Sequence, residues 1–367
     1  MLCGDPHTRQ DRAALGRCRT LTDSIRERRG AGVAVSVRDV AAAAGVSVGT
    51  VSNVMNQPDK VAAATVTRVQ AVIAELGFVR NDAARQLRAG RSRSIGLVVP
   101  DAGNPFFADV ARGAEARADE DLLAVLLGNS DENPAREDNY LDLFREQRVN
   151  GVLITPSSED VDKLVRVQAA GTPVVLVDHE VPGSAFCSVS VDDVEGGLLA
   201  ARHLLAIGRR RLAFVGGPAE IAQVANRLQG ARRAVDEVPG ASLEVIRMPA
   251  LTVLHGREAG EQIAARTAGE RPDGIFAAND LLAVGLLQAL TMLRTVRVPE
   301  DIALVGYDDI DFATATVVPL TSVRQPAQLI GRTAVELLLR SISDPDGDYE
   351  RRVRFRPELV VRQSTTG

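Results

Sequence analysis

Apolar positions along the chain follow two different periods. Between residues 35 and 77 they recur every three or four residues. Val37, Val40, Ala41 and Ala44 share one helical face, Val51, Val54 and Met55 a second, and Val66, Val69, Ile73 and Leu76 a third. Ser36, with Asp39 three positions on, predicts a capping-box start. Gly45 permits a tight turn, Ser47 caps a second helix over Val48–Asn56, and Pro58 ends it. A third helix is predicted over about Ala63–Leu76, with Gly77 as its C-cap. Two short helices on an Ala-Gly-Val turn, backed by a third, predict a helix-turn-helix. Residues 81–90 can form one more helix, opened by Asn81 and stopped by Gly90, too short to be stable alone. Residues 91–94 read as a linker, and residues 1–34, without periodicity, as a disordered extension arising from a start assigned too far upstream.

From Ser94 onward, short apolar runs alternate with helical stretches. The runs are 95–99, 122–127, 152–154, 174–177, 212–215, 243–246, 274–278 and 302–306. Such runs predict strands buried on both faces of a parallel sheet. Eight are too many for one small lobe, so two doubly wound lobes are expected, with crossings near 189–194 and 319–324.

Composition excludes little. Apolar residues make up 45% and charged residues 25%, as in ordinary globular proteins. No apolar run approaches the ~18 residues of a membrane helix. The first twenty residues carry charges where a signal peptide needs an apolar stretch, so a cytoplasmic protein without a membrane partner is expected. Charge is more informative: residues 1–94 hold 15 Lys/Arg against 8 Asp/Glu, whereas the whole chain carries −5. A basic head on an acidic body suits a nucleic-acid-binding module joined to a domain with another task.

Candidate chemistry falls in three places. In the second helix, Val48, Gly49 and Asn53 are best placed to face bases, and Thr50 and Ser52 to donate to phosphates. In the short fourth helix, Leu87 is either a core leucine or a wedge for a minor-groove step, and Arg85 and Arg88 either phosphate partners or a solvated face. At the predicted strand ends stand Asp101, Asn104, Phe106, Phe107, Asp178, Asn279 and Asp308, with Arg227 after the fifth run. Carboxylates and an arginine converging on a cleft suit a hydroxylated ligand. One of the two phenylalanines is expected in the core and the other toward the ligand, and Asp280 as a helix N-cap. Cys3, Cys18 and Cys187, and His7, His179, His203 and His255, show no metal-ligand spacing, and no cofactor is implied. The common hydrolase, phosphate-loop and metalloprotease motifs are absent, so nothing points to an enzyme.

In combination, residues 37–54, 75–81, 83–100, 104–107, 278–280, 305–309 and 321–326 resemble the lactose-repressor/galactose-repressor family of bacterial transcription regulators. The resemblance implies an N-terminal all-α helix-turn-helix DNA-binding domain (35–80), a hinge helix and linker (81–93), and an α/β two-lobed, periplasmic-binding-protein-like domain (94–367). The first lobe would span about 94–190 and 322–343, the second about 191–319 and 350–364. It implies a repressor-type regulator on a pseudo-palindromic double-stranded DNA operator, acting as a homodimer or tetramer and answering a small molecule, most simply a sugar. Ser47, Val48, Gly49, Thr50, Ser52, Asn53, Asn56, Asn81, Arg85, Leu87 and Arg88 would touch DNA, and Leu87 becomes the minor-groove leucine. A transport protein of the same body fold, or a regulator answering a nucleobase or a partner protein, are the alternatives.

Overall fold

In the computed structural model, residues 35–78, 92–158, 160–181, 183–292 and 296–366 are described. The chain divides into two compact units, Met1–Ala89 and Gly90–Gly367. In the first, α1 (Val37–Ala44), α2 (Val48–Asn56) and α3 (Ala63–Leu76) close around Val40, Ala41, Val51, Val54, Val69 and Leu76. The expected capping box is present: Asp39 N–H donates to Ser36 Oγ, and Ser36 N–H to the Asp39 carboxylate. Gly45 and Gly77 end α1 and α3 in the left-handed region, at φ 64° and 54°.

The second unit alternates strand and helix through β1 (Ser94–Val99), α4 (Pro105–Asp119), β2 (Ala124–Asn129), α5 (Pro134–Glu146), β3 (Val152–Ile154), α6 (Asp162–Ala169), β4 (Val174–Val177) and β5 (Cys187–Val191). It continues through α7 (Asp193–Ala206), β6 (Arg211–Gly216), α8 (Ala222–Asp236), β7 (Ser242–Arg247), α9 (Val253–Ala265), β8 (Gly274–Ala277), α10 (Asp280–Met292) and β9 (Ala303–Asp308). It closes with α11 (Asp311–Ala315), β10 (Thr321–Arg324), α12 (Ala327–Ser343), β11 (Arg352–Phe355) and β12 (Glu358–Val360). Among the described residues these strands make two six-stranded sheets, ordered β11-β5-β4-β3-β1-β2 and β12-β10-β9-β8-β6-β7. Every pairing is parallel except β12 against β10. Helices therefore cover the faces, and the carboxyl ends of the central strands are left to build a site.

The chain passes between sheets close to the two expected crossings, just beyond β5 and just beyond β10, and both windows contain strands that the apolar runs did not include. The lobe boundaries move: β10 belongs to the second sheet and β11 to the first, the reverse of the expected assignment. Short strands at a sheet margin carry little apolar signal; β11 alternates exposed and half-buried positions. The second run shifts too, because Leu122 turns at φ 55° and the strand starts at Ala124. As an edge strand, β2 is mostly uncovered, not buried on both faces.

Helix pairs are set by close approach at glycine. A Cβ on Gly113 of α4 would strike the Gln328 carbonyl, and one on Gly331 of α12 the Val110 carbonyl. Gly197 and Gly230 play the same reciprocal part between α7 and α8, and Gly256 and Gly285 between α9 and α10. The obstacle is backbone in each case, so it cannot rotate away. Gly230→Ala is expected to cost about 1–3 kcal/mol of unfolding free energy in a urea titration; a loss within error would show that the helices can part freely.

Candidate functional site

Two candidate sites exist, one in each unit. In the first, Ser47 opens α2, accepting from the Thr50 N–H at 3.0 Å, and its Oγ lies 2.9 Å from Thr50 Oγ1. Val51 and Val54 turn into the core, which fixes the opposite face outward. Val48 is 43% exposed, and Gly49 and Asn53 are exposed beside it. Asn56 Nδ2 donates to the Ser52 carbonyl at 2.8 Å and lies 3.2 Å from Ser52 Oγ, so these two side chains brace each other. A Cβ on Gly49 would meet only Ser47 Oγ at 3.6 Å, so packing within the chain does not require glycine there. Asn81, Arg85, Leu87 and Arg88 lie outside the described residues.

In the second unit a cavity of about 250 Å³ is lined from both lobes. Asp101, Asn104, Phe106, Phe107, Asp178, Arg227, Asn279 and Asp308, the eight positions selected from sequence, all line it. They converge because most follow the carboxyl ends of parallel strands. Asn104 also caps α4, accepting from the Phe106 N–H at 3.0 Å, and Pro105 sits at the first helical position. Asp101 accepts from the Gly103 N–H at 2.8 Å. Both phenylalanines are buried, edge to face at 5.0 Å between centroids, and both pack in the first lobe's core. The expected division of one core ring and one ligand-facing ring is replaced by two rings that each do both, packing in that core and lining the cavity. Asp280 does not cap its helix. Asn279 Oδ1 accepts from the Leu282 N–H at 3.0 Å, while Asp280, fully buried, accepts from Ser322 Oγ at 2.7 Å and the Ile310 N–H at 2.9 Å. The cap sits one residue earlier than expected, and Asp280 ties α10 to β10 and to the chain leaving β9.

Arg227 anchors the electrostatics. Its Nε donates to Asp193 Oδ1 at 2.8 Å and its Nη1 to the Ala278 carbonyl at 2.8 Å. Its guanidinium lies 3.7 Å above the Tyr307 ring, and Asp308 Oδ1 is 3.8 Å from Nη1. Burial alone would lower its pKa; Asp193, Tyr307, Asp308 and Asp178 outweigh burial and hold it charged. Asp308 moves the other way. Burial, only partly opposed by Arg227, Gln325 and Asn104, pushes its carboxyl up to about 6. Burial and repulsion from Asp193 lift Asp178 well above the ordinary carboxylate range, against Arg227. Glu132 at the cavity wall is raised by burial, then by Asp101 and Asp131. Asp178 and Asp308 sit at φ 52° and 103°, the left-handed region that side chains rarely adopt.

Several participants carry little sequence signal. Asp193 follows the capping Asp192 and reads as a helix-start acid. Gln223 donates to the Asp178 carbonyl at 2.6 Å, joining the lobes. Gln325, at a crossing, donates to Asp308 Oδ1 at 2.8 Å. Among the described residues no cluster of His, Cys, Asp and Glu suits a metal ion, and no helix is long and apolar enough to cross a membrane.

Residues 36–81 match the model for bacterial regulatory proteins of the lacI family, and residues 201–365 that for a periplasmic binding protein-like domain. Over 336 residues the chain is 32% identical to the HTH-type transcriptional regulator DegA of Bacillus subtilis, covering 90% of this chain and 98% of that protein. Over 304 residues it is 34% identical to the ribose operon repressor of Bacillus subtilis, covering 83% and 90%. The lac repressor dimer bound to operator and the anti-inducer ONPF superposes with a TM-score of 0.78 at 27% identity, over 91% of this chain and 100% of that one. A LacI family regulator from Enterococcus faecium with bound ribose gives 0.67 at 29% identity, over 74% and 98%.

The Asp308 carboxyl should leave a pH signature. Its value is about 6 in the fold against an ordinary 3.8, so the folded state holds the proton more tightly. Stability is thus greatest below the ordinary value and falls as pH rises toward 6, by about 3 kcal/mol in all. Asp308→Asn, which tolerates a left-handed backbone, should flatten that part of the profile in urea titrations. An unchanged slope would place the titration elsewhere.

Proposed function

The chain belongs to the lacI family of bacterial regulatory proteins, and we propose that it is a repressor whose operator affinity is set by a small hydroxylated molecule held in the inter-lobe cavity. It is a DNA-binding transcriptional regulator with a helix-turn-helix and a two-lobed effector-domain fold. The observation that carries the effector reading is the convergence of Asn104, Asp178, Arg227, Asn279 and Asp308 on one cavity, within the same chain as an exposed α2 face. Side chains of this kind bond hydroxyls in pairs.

In this reading Val48, Gly49 and Asn53 face base edges, while Ser47, Thr50, Ser52 and Asn56 hold the helix start and the phosphates. Residues 81–93 act as a hinge, with Leu87 entering the minor groove and Asn81, Arg85 and Arg88 supporting it. A single helix-turn-helix buries too little surface for tight specific binding, so a homodimer on a pseudo-palindrome follows. Ligand in the cavity changes the relation of the lobes, and with it DNA affinity, by a coupling of typically ~1–3 kcal/mol.

Selection of duplexes from a random library would supply the operator for two tests. Asn53→Ala should lose about 1–3 kcal/mol on the selected operator and little on random DNA. Equal losses on both would remove Asn53 from base reading. Asp308→Asn should keep operator affinity while the response to a stabilising sugar drops by about tenfold or more. An undiminished response would take Asp308 out of the effector site.

A further inference from the structure

Charge in the cavity narrows the class of molecule it can take. Among the described residues, its walls carry carboxylates from Asp101, Glu132, Asp178, Glu220 and Asp308 against one guanidinium, Arg227. That guanidinium is already engaged by Asp193, by the Ala278 carbonyl and by the face of Tyr307. Two of its five N–H donors are spent in this way, and its charge is shared among the acids around it. Three buried carboxylates, Asp178, Asp193 and Asp308, thus share one buried cation.

Asp178 is the least compensated of the three. It is 4% exposed, and its Oδ1 has no hydrogen-bond partner among the described residues. The Gln223 amide serves its carbonyl at 2.6 Å and reaches Oδ2 only at 3.3 Å. The charged groups facing it are Asp193 from α7, Arg227 from α8 and Asp308 from β9, with His179 next in the chain. A buried carboxylate without a full complement of partners is costly. A ligand phosphate or carboxylate would add to the excess negative charge. A hydroxyl adds one hydrogen bond, whereas an ammonium group supplies three donors and a positive charge that favours the ionised form which burial opposes.

Resting on the reading of this cavity as the effector site, we infer that the effector is a hydroxylated small molecule carrying a protonated amine and no acidic group. Amino sugars are the simplest members of that class. The cavity then has a division of labour: Asn104 and Asn279 face hydroxyls, and Asp178 with Asp308 faces the amine.

The test uses the full chain and matched triads: glucose, glucosamine and glucose 6-phosphate, with the mannose and galactose counterparts. Titration calorimetry near neutral pH should show, in any triad that binds, the amine about tenfold tighter than its neutral parent and no binding of the phosphate. Asp178→Asn should erase the amine's advantage, read as the ratio of the two affinities within a triad. Parity between amine and parent, or binding of a sugar phosphate, overturns the inference. A ligand-free arm separates this from the effector reading itself. Ionised Asp178 is disfavoured in the fold, so its cost grows as pH rises above the ordinary carboxylate value, and Asp178→Asn should raise Tm more near pH 8 than near pH 5. An unchanged or lower Tm near pH 8 means the carboxylate is already neutralised, and the inference falls. If no triad binds, the sugar-type effector reading fails and the ligand-free arm alone decides the charge inference.

Discussion

One buried guanidinium organises the effector domain's second lobe. Arg227 reaches from α8 to Asp193 at the start of α7, to the carbonyl after β8, and toward Asp308 at the end of β9, with Tyr307 beneath it. Four segments distant in sequence are held by one side chain, and its charge is what permits acids to remain buried around it. Arginine suits this because its planar fork serves several acceptors at once and stacks on an aromatic face. Without it, Asp193 and Asp308 would be buried charges with no counterion, and the cavity floor would have no fixed geometry.

The scaffold around that centre is stiff where the site needs it to be. Reciprocal glycine contacts bring helix backbones together in three pairs, and both sheets carry interiors of Val, Ile, Leu and Phe. Between the lobes the links are fewer and polar: Gln223 to Asp178, and Asn104 and Gln325 to Asp308. Ile310 and Leu281 of the second lobe also pack against the first lobe's core. Rigid halves joined by a few polar bonds and a small apolar contact are an arrangement a small ligand can re-set, because its own hydrogen bonds compete with those it displaces.

The DNA-binding unit solves a different problem. Its core is small, and α2 turns Val51 and Val54 inward so that Val48, Gly49 and Asn53 face out. In the proposed reading, small side chains at those positions leave base edges to be read by one amide, one methyl-bearing surface and close backbone approach.

Local chemistry made much of this legible from the residues alone. Helix caps, turn glycines and the switch from helical periodicity to alternating strands and helices depend on neighbours in sequence, so Ser36, Ser47, Gly45 and the interior strands could be placed without the fold. The cavity positions were also within reach, because most stand just after the ends of parallel strands, which meet at one edge whatever the sequence between them. What tertiary structure alone decided is who pairs with whom. Asp193 as partner of Arg227, Asp280 as a buried tie in place of a cap, the sheet exchange of β10 and β11, and the burial of both phenylalanines all depend on contacts between distant segments. Those contacts leave no periodic trace, because burial and charge compensation are properties of an enclosed volume and a sequence records only order along a line.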